Sequence, residues 1–383
     1  MKAAAVTVFV CALAGATSGP AEAKSRWTLA QARAVLASKH FAVTDWSQPD
    51  LPDYELVFRR SAAKSLRAVG RRFVFDGLAH DEVTDGDVRV RFTFGRPGRL
   101  TGLRGPAADT SQPLFPIRAA FYYAWYPEAW SRNAVYPYSR FQPSLDYYSA
   151  DDADIVRRHL AALRYAHLGA AIYSWWGPLG YPLTDTRFWR YLAAARTTPF
   201  RWAVYYEREG YEDPSVEKIR SDLEYIRDLY ATKPAYLRID GRFVVFVYGG
   251  AGDSCESTSQ RWREANAVDA YIVLKAFDGY LSCGVQPQAW HEYSATLPTY
   301  SLPPDAFIIS PGFDEAGSAG PRLARDLTRW REDVAAMVVS GALWQLVLSF
   351  NEWPEGTSVE SAREWETPSG FGAYLDALHE ALP

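Results

Sequence analysis

The chain has 383 residues, with 41 Lys and Arg against 45 Asp and Glu, for a formal charge of −4. That near-balance, without a basic stripe or a Lys/Arg cluster, argues against nucleic acid or an anionic membrane surface as a partner. Fourteen Trp and 24 Tyr are enough both to fill a large core and to leave rings in loops.

Residues 1–23 read as an export signal, with Lys2 as a short positive start, an apolar run from Ala3 to Ala16, and small residues at Ala21 and Ala23. The run falls short of the roughly 20 residues needed to cross a bilayer. The mature protein is therefore expected to be secreted or periplasmic, with no membrane partner. Cys11 leaves with the signal, so Cys255 and Cys283 remain as one pair in an oxidising compartment, where a disulfide is expected.

Residues 24–108 read as a small α+β module. Thr28 caps a predicted helix from Leu29 to Ser38, and alternating segments follow at Tyr54 to Arg59, Arg71 to Phe75 and Asp87 to Phe94. The stretch from Gly95 to Pro116, rich in Gly, Pro, Asp and Ser, reads as a linker, with 109–116 as the segment between the domains.

From Arg118 onward, short apolar strands alternate with amphipathic helices, the pattern of a parallel sheet wrapped by helices. The predicted strands are Arg118 to Tyr126, Ala170 to Trp176, Trp202 to Glu207, Phe243 to Tyr248, Tyr271 to Phe277, a weak one near Thr296 to Tyr300, Ala306 to Ser310, and Trp344 to Phe350. Predicted helices include Asp152 to His167, Thr186 to Ala195, Pro214 to Tyr230, Arg322 to Val339 and Gly370 to Leu382. The fold expected for residues 117–383 is α/β, a (β/α)8 TIM barrel, whose typical size is roughly 250 residues. An open doubly wound sheet is the runner-up, but it calls for a glycine-rich phosphate loop, and no G-x-G-x-x-G or Walker-type sequence is present.

In such a barrel, chemistry sits at the C-terminal ends of the strands. Strand one ends Phe121-Tyr122-Tyr123-Ala124-Trp125-Tyr126, strand two ends Ser174-Trp175-Trp176-Gly177-Pro178, strand three ends Tyr205-Tyr206-Glu207, and strand eight ends Phe350-Asn351-Glu352-Trp353-Pro354-Glu355-Gly356. Rings, carboxylates and an amide on one face suit a pyranose, whose apolar side stacks on aromatics while its hydroxyls reach polar groups. Glu352 and Glu355 stand three apart on a turn, with Pro354 between them discouraging a helix, so both can face one cleft, one ionised and one protonated. Glycosidic cleavage needs that acid and base. Glu207 either faces the same cleft or pairs with Arg208. His159, His167 and His291 lack a second ligand at metal spacing, and Asp151 with Asp152 reads as a helix start, so neither metal nor cofactor is expected. Cys255 and Cys283 follow neighbouring strands four and five and read as a loop staple.

These elements, F-Y-Y-A-W-Y at 121–126, Y-S-W-W-G-P at 173–178, Tyr206-Glu207, I-S-P-G-F at 309–313 and S-F-N-E-W-P-E-G-T at 349–357, resemble glycoside hydrolase family 99, the endo-α-mannosidase family. The resemblance runs through residues 117–383 and leaves the N-terminal module uncovered. It implies a metal-free, endo-acting (β/α)8 enzyme that cleaves α-linked oligosaccharides or polysaccharides with retention. By similarity, Glu352 takes the proton of the substrate 2-hydroxyl and Glu355 protonates the leaving oxygen. Tyr123, Trp176, Glu207 and Asn351 are then implied as substrate-binding residues, and Trp125 and Trp175 join them as rings at the strand ends. The chain departs from the family pattern E-W-H-E by carrying Pro354, and Asp314 to Gly341 lacks the family's Arg and Tyr pattern. A non-catalytic carbohydrate-binding protein on a degenerate barrel is the alternative reading.

Overall fold

The computed structural model describes residues 108–178 and 183–382 continuously, together with the backbone of short strands between Trp27 and Arg104. The expected signal, residues 1–23, and the expected helix from Leu29 to Ser38 lie outside the described residues. The chain divides into two compact units, Met1–Asp109 and Thr110–Pro383.

In the first unit, Phe41–Gln48, Glu55–Arg60, Lys64–Val69 and Arg72–Asp76 form a four-stranded antiparallel meander, and Trp27–Thr28, Arg91–Phe94 and Leu100–Arg104 form a second sheet. Leu100–Arg104 falls within the stretch that the sequence marks as linker. It is a strand because Arg91–Phe94 supplies the ladder partner, with Thr93 opposite Thr101, and local composition does not register such pairing.

The second unit is built on eight parallel strands: β1 (Ile117–Tyr122), β2 (Ala170–Trp175), β3 (Arg201–Tyr206), β4 (Arg242–Val247), β5 (Tyr271–Lys275), β6 (Ala289–His291), β7 (Ala306–Ile309) and β8 (Trp344–Val347). Their order across the sheet is β6-β5-β4-β3-β2-β1-β8-β7. The first and last barrel strands are thus neighbours, with Ile117 opposite Trp344 and Ala120 opposite Val347. At the remaining seam the backbone N–H of Trp290 on β6 donates to the Asp305 side chain beside β7 at 3.0 Å. The result is a nearly closed (β/α)8 barrel.

One strand differs from expectation. The weak segment near Thr296 to Tyr300 is not the sixth barrel strand; Thr299–Leu302 is a hairpin partner running antiparallel to β7, with Thr299 opposite Ile309. The sixth strand is the triplet Ala289–His291, paired in parallel with β5. Three residues are too few for a period-2 pattern to stand out.

Helices cover the outside of the barrel, two of the longer ones with side-chain caps. Ala153–Tyr165 begins at Asp152, whose side chain accepts from the Asp154 N–H at 2.8 Å. Asp326 does the same for Leu327–Val339, accepting from Thr328 and Arg329. These caps satisfy backbone donors that a helix start leaves without partners.

Strand alternation then divides the aromatic residues between two environments. Tyr122, Tyr173, Trp175, Trp202 and Tyr206 turn outward to the helices, as when Tyr122 Oη meets His159 Nδ1 at 2.7 Å and Tyr206 donates to Asp222 at 2.7 Å. Phe121, Tyr205, Phe246, His291 and Trp344 fill the barrel interior in mutual ring contact. Each such buried ring contributes on the order of 1.5–3 kcal/mol. Burial holds the His291 imidazole far below its usual range, to about 3, so it packs as a neutral ring. No helix among the described residues is long and apolar enough to cross a membrane.

Candidate active site

The loop after β8 shapes the site. Past the end of β8, the Glu352 N–H donates to Ser349 Oγ at 2.8 Å, Ser349 Oγ lies 2.9 Å from Thr357 Oγ1, and the Ser349 N–H donates to the Thr357 carbonyl at 3.0 Å. The chain from 349 to 357 is therefore a closed loop with its two ends pinned together. On the far side, the N–H groups of Asp314 and Ala316 donate to the carbonyls of Glu355 and Pro354 at 3.0 and 2.9 Å. Gly356 makes this approach possible: its φ is +63°, and a Cβ there would lie 2.5 Å from the Asp314 carbonyl oxygen.

Arg325 ties the same loop from beneath. Its Nη2 donates to the carbonyls of Gly356 and Ser358 at 2.8 and 2.6 Å. Its guanidinium lies 4.1 Å from the centroid of Trp365 and 4.8 Å from those of Phe141 and Tyr374, so aromatic faces replace much of the lost water. Burial lowers its pKa to about 10, which leaves it charged at neutral pH.

The loop brings Glu352 and Glu355 close enough for each carboxyl to shift the pKa of the other. Glu352 is 5 % exposed. Burial first, and then the neighbouring Glu355, hold its carboxyl well above the usual carboxylate range. Burial likewise pushes Glu355 up to about 7, against the hydrogen bond from Glu352, which lowers it. Two carboxyls that are this desolvated and act directly on each other cannot both ionise at low cost, so the pair keeps a proton into the neutral range. Tyr123 Oη donates to Tyr293 Oη at 2.7 Å, and Tyr293 Oη donates to Glu352 Oε2 at 2.5 Å. This two-hydroxyl chain works against the rise at Glu352 by favouring its charged form.

Glu207 faces the same space at the end of β3. It is 4 % exposed, burial pushes it up to about 8, and Glu355 adds to the rise. Its partner is Ser174, whose Oγ also accepts from Trp125 Nε1 at 3.0 Å. Arg208, the other partner that the sequence allows, pairs with Glu212 at 3.0 Å instead. Glu207 Oε1, Glu355 Oε2 and Trp176 Nε1 have no protein partner, and unsatisfied buried polar atoms of this kind mark a place for ligand or water.

Tyr123, Trp125, Trp176, Glu207, Glu352 and Glu355 are thus brought together, while two other expected site residues are not. Trp175 is fully buried on the outward side of β2, where its Nε1 donates to Asp185 at 2.9 Å. Strand alternation sends Ser174 and Trp176 inward and Trp175 away. Asn351 is also fully buried, and its amide is spent on backbone: Oδ1 accepts from the Tyr123 N–H and Nδ2 donates to the Tyr123 carbonyl, both at 2.8 Å. It pins the end of β1 to the loop after β8 and is a positioning residue.

Tyr293 is the main site residue that sequence reasoning did not single out. It stands two residues beyond β6, so placing the sixth strand near Thr296 to Tyr300 hid a strand-end tyrosine. The disulfide joins Cys255, in the segment after β4, to Cys283, after β5, with an S–S distance of 2.04 Å. Among the described residues one group of three carboxylates, Glu209, Asp213 and Asp253, could gather a cation, but Arg261 already pairs with Glu209 and Asp213.

Comparison with known proteins agrees with this geometry. Residues 125–281 match the family described as "Glycosyl hydrolase family 99". The chain is 23 % identical over 369 residues to the mouse (Mus musculus) "Glycoprotein endo-alpha-1,2-mannosidase-like protein", covering 72 % of this chain and 76 % of that one. It is 23 % identical over 340 residues to the mouse "Glycoprotein endo-alpha-1,2-mannosidase", covering 69 % and 71 %. Its fold matches that of the GH99 endo-alpha-mannosidase from Bacteroides thetaiotaomicron with a TM-score of 0.54 at 19 % identity, over 70 % of this chain and 96 % of the other. With the paired buried acids after β8, these matches relate the chain to glycoside hydrolase family 99, as an endo-α-mannosidase-like glycoside hydrolase.

Proposed function

We propose that this protein is an exported, retaining endo-glycosidase that cleaves α-mannosidic linkages by participation of the substrate's own 2-hydroxyl. The observation that carries the reading is that Glu352 and Glu355 stand on one pinned loop after β8, act directly on each other, and are both held above the usual carboxylate range. Two such groups can serve neighbouring oxygens of one sugar, one as base and one as acid.

In the first step Glu352 in its ionised form, accepting from Tyr293, takes the proton of the 2-hydroxyl. That oxygen attacks the anomeric carbon as the glycosidic bond breaks, and Glu355 gives its proton to the departing oxygen. The product is a 1,2-anhydro sugar. In the second step Glu355, now ionised, takes a proton from water, the water oxygen attacks the anomeric carbon, and the ring oxygen of the epoxide recovers its proton from Glu352. Two inversions give net retention, and both carboxyls return to their starting states. Export rests on residues 1–23.

Proton NMR of a digest of α-1,2-linked mannan should show the α-anomer of the new reducing end first. A β-anomer as first product sinks the retaining mechanism, and cleavage of a 2-deoxy analogue at an undiminished rate sinks the 2-hydroxyl step.

Tyr293→Phe removes the donor to Glu352 while keeping the ring. A hydrogen bond to a charged group contributes about 1.5–3 kcal/mol, so kcat/KM should fall by roughly 10- to 100-fold. Losing a donor that favours the carboxylate raises the pKa of Glu352, so the acid limb of the pH–rate profile should move to higher pH. An unmoved acid limb contradicts the role given to Tyr293.

A further inference from the structure

The segment after Glu207 folds as a one-turn helix, Glu209–Glu212, held by the Tyr211 N–H donating to the Arg208 carbonyl at 3.1 Å and by contacts of its neighbours. Glu209 is buried and ion-paired with Arg261, which also reaches Asp213 at 3.4 Å. Gly210 lies flat on the face of Tyr248, where a Cβ would meet the ring at 2.3 Å, so no larger residue fits without moving that ring. Glu212 pairs with Arg208 at 3.0 Å, and Asp213 ends the turn at φ +44°. On this turn Tyr211 leaves 65 % of its surface exposed.

An exposed tyrosine on so constrained a backbone needs a reason. Its ring centroid lies 5.1 Å from that of Trp176, tilted by 38°, and 5.7 Å from that of Tyr248, stacked within 29°. Trp176 in turn neighbours Trp125, and Trp125 neighbours Tyr123, with centroids 6.5 and 4.6 Å apart. The rings make a continuous track from the Glu352 hydrogen-bond chain to the rim. Glu207, Glu352 and Glu355 all act on the Tyr211 hydroxyl, after burial and Tyr248, to raise its pKa, which places the ring within reach of the carboxyls' field.

We propose that Tyr211 is a specificity-determining sugar platform, one pyranose beyond the rings that surround the reacting sugar, which makes the enzyme prefer longer α-linked chains. The inference rests on the reading of the site as an α-glycan hydrolase. A rigid aromatic face with two χ angles stacks on the apolar side of a pyranose without ordering a long side chain. Because the platform touches only a remote sugar, its contribution is made equally in the ground and transition states, and it acts on KM rather than kcat.

The test compares wild type, Tyr211→Ala and Tyr211→Phe on α-1,2-linked manno-oligosaccharides of increasing length. Binding of the same sugars to Glu355→Gln and to Glu355→Gln with Tyr211→Ala is measured by calorimetry. In wild type one added sugar should lower KM by about tenfold. Tyr211→Ala should lose that step with kcat unchanged and with the shortest substrates unaffected, and Tyr211→Phe should keep it. The proposal is overturned if Tyr211→Ala leaves the length dependence intact, if it lowers kcat on the shortest and longest chains alike, or if Phe behaves as Ala does. If wild type cleaves none of these sugars, the hydrolytic reading fails for this linkage. The platform is then still judged by calorimetry, where loss of the length-dependent gain on removing Tyr211 supports it, and equal binding or none in both proteins overturns it.

Discussion

Glu355→Gln should reduce turnover by roughly 10²- to 10⁴-fold, the range that a positioned proton donor contributes, and should make the folded protein more stable at pH 8. The two effects have one origin. Burial raises the Glu355 carboxyl to about 7, so between its ordinary range and that value the unfolded chain ionises while the folded one keeps the proton. The stability that this group contributes is present below its unfolded pKa and is lost as pH rises through about 7. A neutral amide does not titrate, so the variant should gain roughly 1–3 kcal/mol at pH 8 and little at pH 4. Thermal melts across this pH window, alongside turnover on mannan, check both parts. Glu352→Gln should fall in turnover by a similar factor, since it removes the base. A near-wild-type rate in both variants refutes the assignment of the pair; lost activity with lower stability at pH 8 means that the carboxyls are structural ions.

Arg325→Met should cost both stability and rate, although Arg325 touches neither carboxyl. The substitution keeps an unbranched apolar side chain among Phe141, Trp365 and Tyr374, but leaves the carbonyls of Gly356 and Ser358 without their donor. Two buried acceptors left unsatisfied cost on the order of 2–4 kcal/mol. The loop that sets Glu355 against Glu352 is then free to shift, and a displacement of about 1 Å at reacting groups lowers rate by around 10²-fold. A purely structural role predicts lower stability with unchanged kcat and an unchanged pH profile in the folded fraction. The role argued here predicts a lower kcat and a basic limb moved toward lower pH, because the shifted loop exposes Glu355 to water. Pro354 stands in that loop where the family pattern has His, and its carbonyl is held by Ala316, so the departure leaves the loop's backbone anchored.

Much of this protein was legible in its residues. Seven of the eight barrel strands carry apolar runs long enough to read, and the pairing of an apolar strand with N-E-W-P-E-G-T pointed to Glu352 and Glu355. Cys255 and Cys283 could be paired because only two cysteines lie outside residues 1–23 and they follow neighbouring strands. What sequence could not decide is which way each side chain faces and what it meets there. Trp175 and Trp176 are adjacent and chemically identical, yet the two-residue period of a strand sends one into the helix layer and the other into the cleft. Asn351 sits beside Glu352 as a sugar contact would, but its amide is consumed by the Tyr123 backbone, a partner 228 positions away. Tyr293 was hidden because β6 is three residues long and exists only where β5 provides its ladder. The raised pKa values of Glu207, Glu352 and Glu355 likewise belong to the folded barrel. A carboxyl in an extended chain is solvated whatever its neighbours in sequence, and only folding removes that water and sets one carboxyl against another.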